Sequence, residues 1–559
     1  MTSRRAFQSV LLCVLAAWGM AAHAQQPVLF DWFDYQGHDR AFEQPLPPGH
    51  FRNPILAGFY PDPSVVRVGD TFYLVNSSFA YFPGIPVFES KDLVHWKPLG
   101  HVIDQPTELD FDGLGMSRGV FAPDINYHEG TFYVVNTSVD SGGNFVSTTK
   151  NPAGRWSDPV WLKGVGGIDP SLFFDNDGKA YLLNNDEPQG KPLYEGHRAI
   201  WLQQFDPVSL KPQGKRAVIL NGGTDLAKKP IWIEGPHLYR RHGWYYLMCA
   251  EGGTGPQHSE VVLRSRSVWG PYASYEGNPI LTQRDLPADR ADAITNAGHA
   301  DLVEAVDGSW WAVFLASRTY DGTNYNTGRE TYLLPVTWHD GWPVILPHGH
   351  SIPQIVAGQA FIQRAASQAP LSGNFDARDD FDTPTPGSEW LFVRTQKQPW
   401  ADLTSHPGKL AIHPLPQDLD TLKNPSYLAR RQQHLTFEAS TSLTVPTEEG
   451  IEAGMAAFQN EHYWYAFGVK RDGDHLRLSL RRHRSDVESV VDGVDLPASL
   501  DQLKLKITAD GKDYAFAYDD GSGWRWVERH ADGTLLSTDV AGGFIGATVG
   551  PYARLVGNE

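Results

Sequence analysis

The segment Phe59-Tyr-Pro-Asp62-Pro-Ser64, followed by Gly69-Asp70-Thr-Phe-Tyr73, is the first of five copies of one pattern. In each copy a polar residue begins a short strand-like run, a Gly-containing turn follows, and an aromatic-rich strand comes next. The later copies are Ala122-Pro-Asp124-Ile125 with Glu129-Gly130-Thr-Phe-Tyr133, Ile168-Asp169-Pro-Ser171 with Asp177-Gly178-Lys-Ala-Tyr181, Ile233-Glu234-Gly-Pro-His237 with His242-Gly243-Trp-Tyr-Tyr246, and Gly298-His299-Ala-Asp301 with Asp307-Gly308-Ser-Trp-Trp311. The polar residues are 62, 45, 65 and 65 positions apart, about one four-stranded blade each, so the sequence predicts a five-bladed β-propeller.

The first 24 residues have the features of a signal peptide. Two arginines precede an apolar stretch (10–20) that is too short to span a bilayer, and Ala22-His23-Ala24 is a small-x-small cleavage site. We therefore expect residues 1–24 to be removed, the mature chain to begin at Gln25, and the protein to be exported to the periplasm or out of the cell.

The charge and cysteine content narrow the possible partners. The net charge of −18 becomes −20 when the two arginines of the signal peptide are removed, so nucleic acid and anionic membranes are poor partners and an uncharged substrate fits better. Cys13 belongs to the signal peptide, which leaves Cys249 without an internal partner. We expect a protein without disulfides, and the sequence carries no signal for its oligomeric state.

The remaining 535 residues are too many for one core. Proline and glycine punctuate residues 347–375 without a clear period, which is typical of a linker. Beyond it, short runs alternate apolar and polar residues, as in Leu503-Lys-Leu-Lys-Ile507, and this pattern predicts an antiparallel β-sandwich. The expected all-β organisation is an extended lead-in without identifiable chemistry at 25–50, a propeller at 51–346, the linker, and a sandwich at 376–559.

Three of the five patterned residues, Asp62, Asp169 and Glu234, are carboxylic acids. The innermost strand of each blade faces the channel, so equivalent positions can direct their side chains to one point. Glycoside hydrolysis needs a protonated carboxylic acid for the leaving oxygen and an ionised carboxylate that activates water or attacks the sugar. A third carboxylate would raise the pKa of the acid through like-charge repulsion, and Asp169 could do so. Asp-Pro-Ser is also a common turn, Asp124 is expected to be structural, and the repeat alone does not decide which members are catalytic.

Several ordered segments resemble glycoside hydrolase family 43, above all its two-domain β-xylosidases. Those in the propeller are Phe59–Ser64, Gly167-Ile-Asp169-Pro-Ser-Leu-Phe-Phe174, Glu234-Gly-Pro-His-Leu-Tyr239, Ala250-Glu-Gly-Gly-Thr254, Gly298–Asp301 and Gly328-Arg329-Glu-Thr331. Pro425–His434 and Gly454–Gln459 are similar to the family's concanavalin-like C-terminal sandwich, so the resemblance runs from about Asn53 to the end. It implies an inverting reaction with Asp62 as general base, Glu234 as general acid and Asp169 tuning and orienting the acid. It also implies that Arg329 binds the sugar and helps to keep Asp62 ionised.

The resemblance also implies roles for a histidine and three phenylalanines. The matching histidine of the family, here His299, lies beside a water or a structural calcium in the channel, although it could equally be an ordinary core residue. No cofactor is required for the chemistry itself. Phe79 is the first candidate for a sugar platform, and Phe121 stands where many relatives have Trp. Phe544 matches a sandwich loop that closes the pocket so that it accepts chain ends. Alternatively, Phe544 could belong to the core of the sandwich. Arg329 could likewise form an ordinary ion pair between blades instead of binding the sugar.

Three functions remain open at this point. The first is an exo-acting β-xylosidase that releases xylose from the non-reducing ends of β-1,4-xylo-oligosaccharides, including those derived from arabinoxylan. The second is an α-L-arabinofuranosidase, or an enzyme with both activities, because the two sugars place similar groups in space. The third is a non-catalytic propeller whose carboxylates only bind carbohydrate.

Overall fold

The structure is a computed structural model that describes residues 26–287, 289–358 and 371–557. The predicted signal peptide and the cleavage site before Gln25 lie outside the described residues, as do residues 359–370 of the predicted linker. The regular structure of the described chain is almost entirely β-strand, with one short α-helix, α1 (Thr538–Ala541), and three 3-10 turns at Arg40–Phe42, Leu226–Lys228 and Gly533–Leu536. The predicted all-β fold class, a propeller followed by a sandwich, is confirmed. Across these three ranges, no helix is long and apolar enough to cross a membrane.

Two strands precede the propeller, β1 (Val28–Gly37) and β2 (His50–Arg52). Five antiparallel sheets then form the blades. Blade I contains β3 (Ser64–Val68), β4 (Thr71–Val75), β6 (Gly84–Ser90) and β7 (Lys97–Ile103), whereas β5 (Tyr81–Phe82) pairs outside the blade. Blade II contains β8 (Gly119–Val120), β9 (Asp124–His128), β10 (Thr131–Val139), β11 (Gly143–Thr149) and β12 (Val160–Trp161); blade III contains β13 (Ile168–Phe174), β14 (Ala180–Asp186), β15 (Ala199–Asp206) and β16 (Lys211–Asn221). Blade IV contains β17 (Glu234–Arg241), β18 (Trp244–Glu251), β19 (Ser259–Ser265), β20 (Ala273–Ser274) and β21 (Leu281–Thr282); blade V contains β22 (Ile294–Glu304), β23 (Trp310–Arg318), β24 (Glu330–His339) and β25 (Trp342–Val344).

The repeated sequence pattern corresponds to the innermost hairpin of each blade. In blade I, Gly69 adopts a φ of 64° in the tight turn between β3 and β4, a conformation that glycine reaches without strain. The innermost strands β3, β9, β13, β17 and β22 contact one another in that order, and β22 packs against β3. The ring is therefore closed, and the five patterned residues precede, start or lie within the strands that line its channel.

Two eight-stranded sheets form the sandwich. The first has the order β29 (Ala401–Asp402), β30 (Leu410–Ile412), β1, β32 (Thr436–Thr444), β37 (Gln502–Asp510), β38 (Asp513–Asp519), β39 (Arg525–Asp532), with β27 (Phe375–Asp379) also paired to β1. The second has the order β36 (Val487–Leu496), β35 (His475–Arg484), β34 (Tyr463–Asp472), β33 (Ile451–Asn460), β40 (Thr548–Leu555), β31 (Leu428–Arg431), β28 (Trp390–Val393), β5. A two-stranded ribbon joins β2 to β26 (Ile355–Ala357).

The segment 25–50, expected to be an extended lead-in, contributes a strand to the interior of a sandwich sheet. Strand β1 lies between β30 and β32, with Phe33 opposite Thr441 and Tyr35 opposite Ala439. Its alternate side chains Phe33 and Tyr35 are buried in the core. The sandwich is therefore built from β1, which precedes the propeller, from β5, which lies within the segment of blade I, and from the strands that follow the propeller.

One hydrophobic cluster extends from blades I and II of the propeller into the sandwich. Phe59 of the propeller packs on Tyr81 with ring centroids 5.1 Å apart, and Arg431 of the sandwich donates from Nε to the carbonyl oxygen of Phe59 at 2.9 Å. Arg318 of blade V is buried and bonds Glu330, Asp39 and the carbonyl oxygen of Gln433. These contacts fix the sandwich against the propeller beside the channel mouth.

Candidate active site

Four of the five patterned side chains meet at one end of the propeller channel. Asp62 precedes β3, Asp169 lies in β13, Glu234 begins β17 and His299 lies in β22. Asp62, Asp169 and His299 have φ values of 52°, 53° and 56°, in the left-handed region that non-glycine residues rarely adopt. Such backbone strain is typical of functional sites, and here it occurs at equivalent positions of three blades.

Both carboxylate oxygens of Asp62 accept a hydrogen bond. Arg329 donates from Nη1 to Oδ1 at 2.8 Å, and the Ser77 hydroxyl donates to Oδ2 at 2.6 Å. Burial by itself raises the pKa of Asp62, but Arg329, His299 and Ser77 together outweigh burial, so that its pKa lies below the usual value. Asp62 is therefore held as a carboxylate in a site where it is only 5% exposed.

Glu234 has the opposite electrostatic environment. The residue is partly exposed. Burial, followed by the negative charge of Asp169, raises the pKa of Glu234 to about 8, although His299 and Arg329 act against the rise. Glu234 is thus a protonated carboxylic acid at neutral pH, across the channel ring from an ionised Asp62.

Asp169 connects the acid to the histidine. Its Oδ2 accepts a hydrogen bond from the backbone N–H of Gly235 at 3.1 Å and lies 3.5 Å from Nε2 of His299. Gly235 has a φ of 54°, and a Cβ at this position would lie 2.7 Å from the His299 ring, so only glycine allows the ring to approach. Burial lowers the pKa of His299, but Asp169, Asp62 and Glu234 outweigh burial and raise it to about 9.

The three phenylalanines singled out from the sequence form one cluster. Phe79 stacks on Phe544 with centroids 5.9 Å apart, and Phe121 meets both rings edge-on at 5.5 and 5.7 Å. Phe79 is only 1% exposed and forms the covered base of the cluster, whereas Phe121 and Phe544 are half-buried. The surface left for an apolar sugar face is therefore that of Phe121 and Phe544.

Arg329 links the aromatic cluster to the carboxylates. Its guanidinium carbon lies 5.6 Å from the ring centroids of both Phe79 and Phe544. Besides its bond to Asp62, it donates from Nε and Nη2 to the carbonyl oxygen of Phe544 at 3.3 and 3.2 Å, and from Nη1 to the Thr254 hydroxyl at 3.1 Å. One propeller side chain thus holds the sandwich loop in position at the mouth.

Several residues of the site were not identified from the sequence. Ser77 and Thr254 hold Asp62 and Arg329, Gly235 makes room for His299, and Ser117 accepts a hydrogen bond from the backbone N–H of Phe544 at 2.9 Å. Thr254 does lie within a segment quoted above, but small polar residues in loops, such as Thr254 and Ser77, carry no distinctive signal. Asp124, expected to be structural, lies outside this group and bonds Ser64, Asn126 and the backbone N–H of Leu172.

Comparisons with known proteins agree with this geometry. Residues 51–343 match the family "Glycosyl hydrolases family 43", and residues 378–558 match "Beta xylosidase C-terminal Concanavalin A-like domain". The chain belongs to glycosyl hydrolase family 43. Family 43 relatives include a "Xylosidase/arabinosidase" of Butyrivibrio fibrisolvens, which is 37% identical over 90% of this chain and 95% of the relative.

Two further family 43 proteins are more than a third identical to this chain. The "Non-reducing end alpha-L-arabinofuranosidase BoGH43B" of Bacteroides ovatus is 39% identical over 90% of this chain and 91% of the relative. The crystal structure of a GH43_12 protein retrieved from a capybara gut metagenome is 39% identical, with a TM-score of 0.89 over 94% of this chain and 99% of that one. The two-domain family 43 architecture therefore extends over the whole described chain, which is a glycoside hydrolase.

Proposed function

We propose that this family 43 enzyme is an exo-acting, inverting β-xylosidase that releases xylose from the non-reducing ends of β-1,4-xylo-oligosaccharides. The observation that carries the proposal is the pair formed by Asp62 and Glu234 at one end of the channel. The pKa of the first is lowered and that of the second is raised to about 8. An ionised base and a protonated acid coexist between these two pKa values, as glycoside hydrolysis requires.

In the proposed mechanism Asp62 removes a proton from water while the water attacks the anomeric carbon. Glu234 donates its proton to the glycosidic oxygen as that bond breaks, and the product sugar has inverted configuration. The two carboxylates would be about 6.5–9.5 Å apart to leave room for the water. Asp169 keeps the proton on Glu234 through its charge and fixes the adjacent Gly235 N–H.

Arg329 and the phenylalanine cluster would bind the terminal sugar. Of the five N–H groups of Arg329, four donate within the protein and one on Nη2 is left for a sugar hydroxyl. The positive charge of Arg329 keeps Asp62 ionised. Phe121 and Phe544 offer apolar faces to the ring carbons of the sugar. Because Phe544 comes from the sandwich and closes one side of the mouth, a chain end fits better than the interior of a polysaccharide.

The second candidate is an α-L-arabinofuranosidase or an enzyme with both activities. It is favoured by one specific observation: the names of the Butyrivibrio fibrisolvens and Bacteroides ovatus relatives include arabinosidase and arabinofuranosidase activity. Both substrates would use the same acid and base, so this candidate changes the sugar but not the mechanism.

A structural calcium beside His299 is part of the proposal. Calcium prefers oxygen ligands. Glu260 accepts a hydrogen bond at Oε2 from the backbone N–H of Ala300, and its buried Oε1 has no hydrogen-bond partner among the described residues. Glu260 would contact the ion, with His299 bound through water.

The proposal also includes export by the signal peptide at residues 1–24, which N-terminal sequencing of secreted protein would test.

The decisive experiment compares hydrolysis of 4-nitrophenyl β-D-xylopyranoside and 4-nitrophenyl α-L-arabinofuranoside, with NMR detection of the first anomer released. We expect the xyloside to be hydrolysed faster than the arabinoside, with inversion of the anomeric configuration. The rate of xyloside hydrolysis should fall about 10²- to 10⁴-fold in Asp62→Asn. Faster arabinoside hydrolysis would support the second candidate. If neither substrate is hydrolysed but xylo-oligosaccharides bind, the protein is a carbohydrate-binding propeller without catalytic activity. A parallel measurement with a chelator tests whether calcium contributes to the stability of the protein.

A further inference from the structure

A second polar cluster lies in the propeller channel, one layer below the proposed catalytic residues. Asp124 of blade II, His237 of blade IV and Asp301 of blade V are all buried, and one donor atom of each lies within 4.8 Å of the other two. His237 follows Glu234 by three residues in β17, and Asp301 follows His299 by two residues in β22. Each of these strands therefore contributes one side chain to the catalytic layer and one to the lower layer. The mechanism proposed above uses none of these three side chains.

The distances within this lower cluster differ from those of ordinary hydrogen bonds. Nδ1 of His237 lies 3.4 Å from Oδ1 of Asp124 and 3.8 Å from Oδ1 of Asp301, whereas a charge-assisted N–H···O bond is about 2.7–2.9 Å long. Two ligands of a tetrahedral ion with metal–ligand bonds of about 2.0–2.2 Å are roughly 3.3–3.6 Å apart. The distance to Asp124 falls in this range and the distance to Asp301 exceeds it slightly, so the spacing is closer to that of donors that share an ion than to that of donors that share a proton.

The surroundings favour a positive charge at this point. The carboxylates of Asp124 and Asp301 are both buried here, and their Oδ1 atoms lie 3.4 and 3.8 Å from Nδ1 of His237. The two negative charges of these carboxylates would attract a divalent cation and balance its two positive charges. Their orientation is fixed in advance, because the Ser64 hydroxyl and the Val65 N–H donate to Oδ2 of Asp301 and the Leu172 N–H donates to Oδ2 of Asp124.

Room for the remaining ligands lies next to the cluster. A cavity of about 260 Å³ is lined by the three side chains together with Val65, Tyr239 and Trp310. Water molecules in this cavity would complete the coordination of an ion. Tyr239 donates its hydroxyl proton to Oδ1 of Asp301 at 2.6 Å, a contact beyond the metal ligands of the kind that orients a ligating carboxylate.

We propose that Asp124, His237 and Asp301 form a binding site for a divalent transition metal of the zinc, cobalt or manganese class. One imidazole nitrogen and two carboxylate oxygens suit these ions, whereas calcium prefers oxygen alone. The ion would join blades II, IV and V, and through the bonds of Asp301 to Ser64 and Val65 also blade I. Its role would be to hold the propeller ring closed, at a site distinct from the calcium proposed beside His299.

The test uses the full-length enzyme, stripped of metal with a chelator, reloaded with Zn²⁺ or Co²⁺ and desalted. Elemental analysis is expected to find about one metal per chain, and Co²⁺ is expected to give visible absorption bands characteristic of bound imidazole and carboxylate. Reloading should raise the melting temperature, because a ligand that binds only the folded state stabilises it. Absence of retained metal and of a Co²⁺ spectrum in the wild type would overturn the proposal, leaving His237 as an imidazolium ion between two carboxylates.

Matched variants locate the site. His237→Gln is expected to lose the retained metal and the response of the melting temperature, whereas His299→Gln, a second channel histidine, should keep both. Retention of one equivalent by His237→Gln would contradict the assignment, as would its loss only in His299→Gln. Excess Ca²⁺ should not displace Co²⁺ from the wild type, and displacement would assign the bound ion to the calcium site instead. If His237→Gln does not fold, the wild-type Co²⁺ spectrum and the stoichiometry still decide the outcome.

Discussion

Asp62 and Glu234 are both carboxylic acids, but the groups around them shift their pKa values in opposite directions. Asp62 faces the positive charge of Arg329 and accepts a bond from Ser77, whereas Glu234 faces the negative charge of Asp169. A pair of this kind defines which member is the base and which is the acid. The assignment predicts how each variant responds to the leaving group of the substrate.

We expect Glu234→Gln to lose much more activity on xylobiose than on 4-nitrophenyl β-D-xylopyranoside. A sugar leaving group needs protonation, whereas nitrophenolate leaves with little help from an acid. The kcat for xylobiose should fall about 10²- to 10⁴-fold with little change in substrate binding, because the acid acts mainly in the transition state. Asp62→Asn is the matched control and should lose activity equally on both substrates; equal losses in Glu234→Gln would contradict its role as acid.

Asp169→Asn should move the alkaline limit of the pH–rate profile to lower pH. The wild-type enzyme is expected to lose activity as the pH rises through about 8, where Glu234 loses its proton. The charge of Asp169 raises that pKa, so its removal lowers the pKa, while an asparagine oxygen can still accept the Gly235 N–H. The measurement is kcat/KM against pH. Asp177→Asn removes a solvent-facing carboxylate from the same blade and should leave the profile unchanged, and an unmoved limit in Asp169→Asn would refute the tuning role.

The sequence identified the residues whose position repeats and missed those whose neighbours come from elsewhere. Asp62, Asp169, Glu234 and His299 occupy equivalent positions in four blades, so the repeat predicts that they converge. Asp124 shares the pattern but lies a layer lower, a difference that depends on the tertiary fold. The need for glycine at 235 arises from the ring of a histidine in another blade, and no local pattern reports such a contact.

The loop from α1 to β40 carries Phe544 across from the sandwich to the channel mouth. Ser117 and Arg329 of the propeller hold its backbone. Because these bonds use the backbone of Phe544, its ring can be removed without removing the attachment of the loop. The loop and the ring can therefore be tested separately.

Phe544→Ala is expected to lower kcat/KM for xylobiose about 3- to 10-fold, mainly through a higher KM. An aromatic contact contributes about 0.5–1.5 kcal/mol, and loss of the ring also opens one side of the pocket. Steady-state kinetics on xylobiose and xylotetraose would measure the change, with a smaller loss expected for the longer substrate. Trp524→Ala removes an exposed aromatic ring from the same domain and should leave the kinetics unchanged. If the kinetics of Phe544→Ala are also unchanged, Phe544 is a core residue of the sandwich and does not contact the substrate.

Arg318 connects three parts of the molecule at the junction of the domains. It is 5% exposed and bonds Glu330 of blade V, Asp39 after β1 and the Gln433 carbonyl of the sandwich. Arg318→Ala would leave two buried carboxylates without their counter-charge, and we expect the free energy of unfolding to fall by about 3–5 kcal/mol. Urea denaturation would measure the loss. Arg118→Ala breaks the solvent-exposed pair with Asp140 and should cost less than about 1 kcal/mol; an equally small loss in Arg318→Ala would contradict this account.

The division into domains could be predicted only in part from the sequence. The composition marks the end of the propeller, because the repeated pattern stops there. The place of β1 carries no such mark, since its partner β32 begins 399 residues after β1 ends and strand pairing leaves no trace in local periodicity. A strand with alternating buried residues has the same sequence pattern whether its partner strand is close or distant in the sequence.

This distant pairing has a consequence for how the protein is made. At a synthesis rate of about 5–20 residues per second, β32 emerges roughly 20–80 s after β1. During most of that time the blades can close one after another, since each is a local antiparallel sheet, while Phe33 and Tyr35 wait for the strands β27, β30 and β32 that pair with β1. Among the described strands, β1 is thus the first to leave the ribosome and among the last to be paired, so a chaperone that shields this short apolar stretch would have its longest task there.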